Sequence, residues 1–192
     1  MASTRRMGSL DSKKALAMLD AAEYILREEG YGALTSRRVA DELGVKQRLV
    51  YYYFHTMDDL VLETFKRLAA RDLERLKAGV SSDRPLHEIW HVFINTTDSR
   101  IVSEFMALAN RHDELREEVI AFIETSRKIQ VRALKKVLTM SGKDISSVSP
   151  EAIAFIGSSV ALALNRESAI GLTKGHAPVK KMISQFFEGI ES

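Results

Sequence analysis

Apolar residues recur at three- and four-residue steps along nearly the whole chain, and that period most limits what it can fold into. Leu16, Leu19, Ala22 and Leu26 follow it between Ser12, suited to an N-cap, and Gly30, suited to a stop. Thr35 precedes Val39, Ala40 and Leu43, with Gly44 behind them. Thr56 and Asp59 have the spacing of a reciprocal cap before Phe65, Ala69, Leu73 and Leu76, closed by Gly79. Ser82 or Asp83 can cap a helix whose Leu86, Ile89, Trp90, Phe93 and Ile94 share a face, and Val102, Phe105, Met106 and Ala109 follow. Asp113 opens the longest amphipathic run, from Leu115 through Val119, Phe122, Ser126, Ile129 and Ala133 to Val137 and Gly142. Ser149-Pro150 begins a helix rich in small residues that should end at Gly171, and Pro178 starts a last one. No alternating run reads as a strand, and only Thr96-Thr97 has strand composition. The expected fold is all-α with about nine helices.

With 192 residues, 45% of them apolar, the chain can bury a sizeable core, which excludes disorder and low-complexity classes. It has no cysteine, so disulfide scaffolds, thiolate zinc fingers and cysteine nucleophiles are excluded. Residues 1–14 are polar and basic without an apolar core, which predicts no secretory signal. The longest apolar stretch, Ala152 to Leu164, is interrupted by Gly157, Ser158 and Ser159 and is too short to span a bilayer. A soluble, cytoplasmic protein without a membrane partner is expected. The 28 basic and 26 acidic residues nearly balance, but their placement does not. Arg5 and Arg6 make residues 1–11 a basic arm, and Arg37, Arg38, Lys46 and Arg48 fall close together.

Residues 35–54 read as helix, tight turn, helix. Gly44 suits the left-handed turn, and Val45 is an apolar plug. A second helix should begin at Lys46 or Gln47, bury Val50 and Phe54, and leave Gln47, Arg48, Leu49 and Tyr52 outward. Glutamine and arginine near such a helix start form bidentate bonds to base edges in a major groove. Lys46 at the cap opposes the helix dipole, a poor choice for an ordinary surface and a sensible one beside a phosphate. A plain helix hairpin with a polar surface is the bland alternative.

The residues from Ala22 to Leu60 resemble the tetracycline-repressor (TetR) family of transcriptional regulators. The resemblance lies in Gly32-x-x-x-Thr35-x-x-x-Val39-Ala40-x-x-Leu43-Gly44-Val45, then Val50-Tyr51-Tyr52-Tyr53-Phe54 and Asp59-Leu60. It implies a helix-turn-helix DNA-binding domain over residues 12–56, a helical ligand-binding and dimerisation domain over 57–192, and a homodimer built from the last two helices. It also implies that Gln47, Arg48 and Leu49 read bases. Thr35, Ser36, Arg37, Tyr51 and Tyr53 would touch phosphates or bases. Lys46 stands where the family commonly has serine, and Met57 where it has a phosphate-contacting lysine. Lys46 and the arm residues Arg5 and Arg6 are the substitutes this sequence offers.

His87-Glu88-Ile89-Trp90-His91 spells HExxH, which on a helix sets two imidazoles on one face beside a general base for zinc-bound water. No third ligand follows at a matching spacing, and the Leu86, Trp90, Phe93 stripe explains the helix without metal. A zinc metallopeptidase therefore stands as a rival reading. A helical DNA-binding or scaffold protein without effector is another. No nucleophile elbow, phosphate loop or desolvated carboxylate pair competes, so neither an enzyme nor a cofactor is expected. Trp90, Phe93, Phe105, Met106 and Phe122, with the polar Asn110, Ser126 and Asn165, are the candidates for a pocket taking a small, largely apolar effector. Ala154, Gly157, Ser158 and Ala161 permit close helix approach, and Met182, Ile183, Phe186 and Ile190 are more apolar than a terminal helix needs. They are the candidate dimer interface. With the resemblance, these residues imply a homodimeric repressor that binds a near-palindromic operator in double-stranded DNA and is released by an effector.

Overall fold

The computed structural model describes residues 8–95, 98–141 and 149–191. Among the described residues there are nine α-helices, one 3₁₀ turn at Tyr31–Ala33, and no strand. They are α1 (Lys13–Glu28), α2 (Ser36–Glu42), α3 (Arg48–Tyr53), α4 (Met57–Val80), α5 (Pro85–Asn95), α6 (Ser99–Ala109), α7 (Asp113–Ser141), α8 (Pro150–Ala169) and α9 (His176–Glu191). The chain is all-α, as its periodicity predicts. Thr96, Thr97 and Gly142 lie outside the described residues.

The local punctuation acts as the sequence suggests. Ser12 accepts a hydrogen bond from the Ala15 N–H, and Ser149 from the Ala152 N–H ahead of Pro150. Thr56 and Asp59 cap reciprocally: Asp59 N–H donates to Thr56 Oγ1 at 3.0 Å, and Thr56 N–H to Asp59 Oδ2 at 3.2 Å. Three details differ. Leu16 is exposed, because α1 buries the neighbouring Ala15, Met18, Ala22 and Ile25 instead. α9 begins at His176, so Pro178 falls inside its first turn, where a missing N–H leaves no bond unmade. At the start of α5 the Ser82 hydroxyl donates back to the Gly79 carbonyl, and the Leu86 N–H is taken by a Glu191 carboxylate oxygen from α9. A distant anion thus satisfies the positive end of α5, where the sequence suggests a local cap.

Two compact units form. One comprises the residues preceding and including Leu68 with Ser103–Glu117; the other comprises Ala69–Val102 and the residues from Glu118 onward. The boundaries between the units fall within α4, α6 and α7. In the first unit α2 packs on α1 and α3, and Phe65 of α4 meets Phe105 of α6 edge-on at 5.1 Å. The second is built on α5, which packs against α8 and α9. Its core joins Leu76, Leu86, Trp90, Leu134, Ile153, Leu164 and Phe187.

Candidate nucleic-acid interface

The turn between α2 and α3 is closed by backbone alone. Gly44 N–H donates to the Asp41 carbonyl at 3.2 Å and Val45 N–H to the Ala40 carbonyl at 3.0 Å, the paired bonds of a glycine-terminated helix. Gly44 has φ +63°, which only glycine adopts without strain. α3 starts at Arg48 with Gln47 at its cap, one residue beyond a Lys46 cap. Its first bonds run from Leu49 N–H to the Lys46 carbonyl and from Val50 N–H to the Gln47 carbonyl, a tight turn. Val50 and Phe54 are buried, which anchors the helix and turns Gln47, Arg48 and Tyr52 to solvent; Leu49 is half-buried.

The hydroxyls on α2 have separate tasks. Thr35 Oγ1 caps α2 by accepting the Arg38 N–H at 3.1 Å. Ser36 is buried, 4% exposed, so it is not a solvent-facing phosphate ligand. Its Oγ instead accepts from Gln47 Nε2 at 2.8 Å and bonds the Tyr51 hydroxyl at 3.0 Å, joining α2 to α3. Tyr53 is 8% exposed and stacks edge-on with Tyr52 at 5.0 Å, so its ring belongs to the core, while Tyr51 is exposed. A Cβ on Gly8 would stand 2.4 Å from the Tyr53 ring, so the described chain enters pressed against α3. Arg5 and Arg6 lie outside the described residues.

The cations divide in two. Arg37, Lys46 and Arg48 are exposed, Arg37 meeting only Asp41 at 3.9 Å. Arg38, a member of the same sequence cluster, is spent on structure. Its Nε donates to both Glu29 oxygens at 3.1 Å, its Nη2 to Glu29 at 2.6 Å and its Nη1 to Glu42 at 2.7 Å. This fork ties the end of α1 to α2; the Glu42 arm has the i,i+4 spacing of a helical ion pair, while nothing in the sequence spacing marks the Glu29 arm. The Arg38 hydrogen bonds hold the Glu29 carboxyl below its ordinary 4.5. A depressed folded pKa adds stability that is present above the unfolded value and lost as pH falls through the folded one. Glu29→Gln should therefore flatten the acid limb of the stability curve below about pH 4.5. A variant whose acid unfolding matched the parent would show that the tie contributes nothing.

Residues 18–64 match the family model described as bacterial regulatory proteins, tetR family. That span covers the helix-turn-helix and the start of α4. The fatty acid metabolism regulator protein of Bacillus subtilis (strain 168) is 27% identical over 67 residues, 35% of this chain and 34% of that protein. The chain thus matches about a third of the length of that curated relative. A TetR transcription regulator from Haloarcula marismortui superposes with TM-score 0.77 at 18% identity, over 91% of this chain and 96% of that one. A transcriptional regulator from Saccharomonospora viridis in complex with choline gives 0.78 at 16% identity, over 90% and 94%. Residues 18–64 thus match a domain of the tetR family of bacterial regulatory proteins, and the chain shares the fold of solved regulators of that kind.

The second unit holds a narrow cavity of about 20 Å³, room for one water-sized group. Trp90, Phe93, Ile89, Leu134 and Phe187 supply its apolar wall, and Gln130 and Ser158 its polar groups. Of the expected pocket residues only Trp90 and Phe93 line it. Phe105, Met106 and Asn110 fall in the first unit, where Phe105 is core, Met106 is exposed and Asn110 bonds the Met106 carbonyl. Phe122 is half-buried; Ser126 is buried and accepts from Gln130 Nε2 at 3.1 Å. Asn165 donates to the Phe93 carbonyl at 2.7 Å, a tie between α8 and α5. Periodicity locates an apolar face but not which core the face enters.

The expected dimer residues also separate. Ala154, Ala161, Ile183 and Ile190 are buried in the chain's own core, and Gly157 faces Phe187 of α9. Ser158 is half-buried, its hydroxyl donating to the Ala154 carbonyl. The small residues admit helices of the same chain. Met182 and Phe186 stay exposed, joined by Phe155, Ile156 and Leu162 on α8. In the HExxH segment, His91 and Glu88 are exposed and His87 Nδ1 lies 3.4 Å from the cationic Arg84. Among the described residues no three His, Asp or Glu side chains gather as a metal site. No described helix is long and apolar enough to cross a membrane.

Proposed function

We propose that the protein is a repressor acting as a homodimer on a near-palindromic operator and released by a small, largely apolar effector. The observation that carries the reading is a solvent-facing set of Gln47, Arg48 and Lys46 at the start of α3, on a helix fixed from behind by Val50 and Phe54. Gln47 and Arg48 read base edges; Lys46, Arg37, Thr35, Tyr51 and the arm residues Arg5 and Arg6 hold phosphates. The protein works in the cytoplasm, where its DNA is, and as a regulator rather than an enzyme.

Two copies join through the exposed stripes of α8 (Phe155, Leu162) and α9 (Met182, Phe186), making a four-helix bundle under two-fold symmetry. Such a dimer sets its recognition helices one DNA turn apart, about 34 Å. The effector enters at the cavity beside Trp90, with Gln130 and Ser158 to meet one polar end. At its present size the cavity admits no organic effector, so the effector must select a more open conformation and bind it preferentially. A choline-bound neighbour of the same fold supports a small organic ligand. Effector and operator then lower each other's affinity by the same factor, about 5- to 150-fold for a coupling of roughly 1–3 kcal/mol.

The test is selection from random DNA followed by alanine variants. Gln47→Ala and Arg48→Ala should each relax preference at particular base pairs, by roughly 1–3 kcal/mol per lost bidentate contact. Lys46→Ala should weaken every sequence alike and reduce the salt slope by about one. Equal losses on all sequences for Gln47 and Arg48 would sink the base-reading assignment.

A further inference from the structure

The buried Ser36 hydroxyl stands between Gln47, proposed above to read bases, and Tyr51, proposed to hold a phosphate. Gln47 Nε2 lies 2.8 Å from Ser36 Oγ, and Ser36 Oγ lies 3.0 Å from the Tyr51 hydroxyl. A serine hydroxyl has one proton to donate, so this three-membered chain has a direction, and two directions are chemically possible. In one, Tyr51 donates to Ser36 and Ser36 donates to the Gln47 carbonyl oxygen. In the other, Ser36 donates to Tyr51 and accepts from the Gln47 amide nitrogen. Tyr51 is 43% exposed, so its phenol can reach a partner outside the protein.

Phosphate oxygens only accept. A Tyr51 phenol that donates to phosphate has no proton left for Ser36 and must accept the Ser36 proton instead. Ser36 Oγ then has only lone pairs to offer Gln47, which turns the amide nitrogen inward. We infer that Ser36 is a positioning residue for sequence recognition, passing the Tyr51–phosphate contact to Gln47 and locking that amide with its carbonyl oxygen and one N–H toward the groove. This rests on the reading of α3 as the base-reading helix. An acceptor beside a donor matches adenine, which offers its N6 amino group and N7 in the major groove. Gln47 therefore reads an A·T pair in each half-site, and the direction of reading is set by a backbone contact made elsewhere. Without Ser36 the amide can flip, and each half-turn exchanges donor for acceptor.

The experiment measures binding of the full-length protein to its selected operator and to every single-base variant of one half-site. The parent should prefer an A·T pair at the position that Gln47→Ala leaves unread. Ser36→Ala should lose discrimination there by roughly 5- to 100-fold while preferences read by Arg48 persist. The Ser36→Ala, Gln47→Ala double variant should be no worse at that position than Gln47→Ala alone, since both remove one coupled unit. Ser36→Thr, which keeps the hydroxyl, should restore the preference. Tyr51→Phe, a surface change that spares the fold, should weaken all sequences and also blunt discrimination at the same pair. The inference is overturned if Ser36→Ala and Tyr51→Phe lower affinity evenly with that preference intact, or if Gln47 proves to read a G·C pair. A parent that selects no sequence at all would overturn the base-reading helix itself, an outcome distinct from either.

Discussion

Replacing Phe186 by arginine is expected to yield a helical monomer that has lost most of its operator affinity. Phe186 is 45% exposed and Met182 61% exposed, one turn apart on the outer face of α9. On α8, Phe155 is 55% exposed and Leu162 37%, two turns apart. Several large apolar side chains left this exposed on two helices point to a surface that another molecule covers. A two-fold interface covers it with itself, so each substitution is made twice. Two guanidinium groups would then enter an apolar contact without partners, and a cost of several kcal/mol is expected for each buried unpaired charge. The fold tolerates the change because Ile183, Phe187 and Ile190, on the adjoining face, hold α9 to its own core. Losing the second half-site removes the gain of linked binding, roughly 10²- to 10⁴-fold in affinity. Sedimentation and operator titration of parent and variant check this together. A parent that is monomeric at micromolar concentration, or a Phe186→Arg protein that stays dimeric and binds normally, would place the interface elsewhere.

The same helices show what could be read from the chain and what could not. Caps were legible because their partners are three residues away: Ser12, Thr35, the Thr56–Asp59 pair and Ser149 all act as their spacing implies. The turn at Gly44 was legible for the same reason, since one residue type and one backbone geometry go together. Partners chosen by the fold were not. The carboxylate that satisfies the start of α5 comes from Glu191, 105 residues distant. Phe105 reads as part of an aromatic stripe with Trp90 and Phe93, yet it meets Phe65 in the other core. Ala154 and Ala161 signal close helix approach, but a small residue admits whichever helix arrives, and here α8 packs on α5 and meets Phe187 of α9 at Gly157, all in the same chain. Ser36 is the subtlest case. Its residue type fits a phosphate ligand, and only its burial shows that it works on Gln47 and Tyr51.

Phe54→Ala is expected to have the largest effect on stability, and the distribution of aromatic residues makes that effect readable by unit. Phe54 has 0% exposure and is among the largest fully buried side chains. Its removal leaves a cavity in the core of the first unit, and truncating a buried phenylalanine costs roughly 3–5 kcal/mol. A small domain holds only about 5–15 kcal/mol in all, so the loss is a large share of its stability. The six residues of α3 cannot persist as a helix without tertiary anchors. With Phe54 gone, only Val50 and Tyr53 still anchor it, and Gln47 and Arg48 lose their fixed bearing. Operator binding should therefore fail at temperatures where most of the chain is still helical. All five tyrosines lie in the first unit (Tyr24, Tyr31, Tyr51, Tyr52 and Tyr53), and the single tryptophan, Trp90, in the second. Thermal unfolding followed by tyrosine absorbance should shift strongly downward in Phe54→Ala, while the Trp90 emission transition shifts much less. Equal shifts in both signals would mean that the two cores melt as one cooperative body, and that the DNA-reading helix shares the stability of the whole chain.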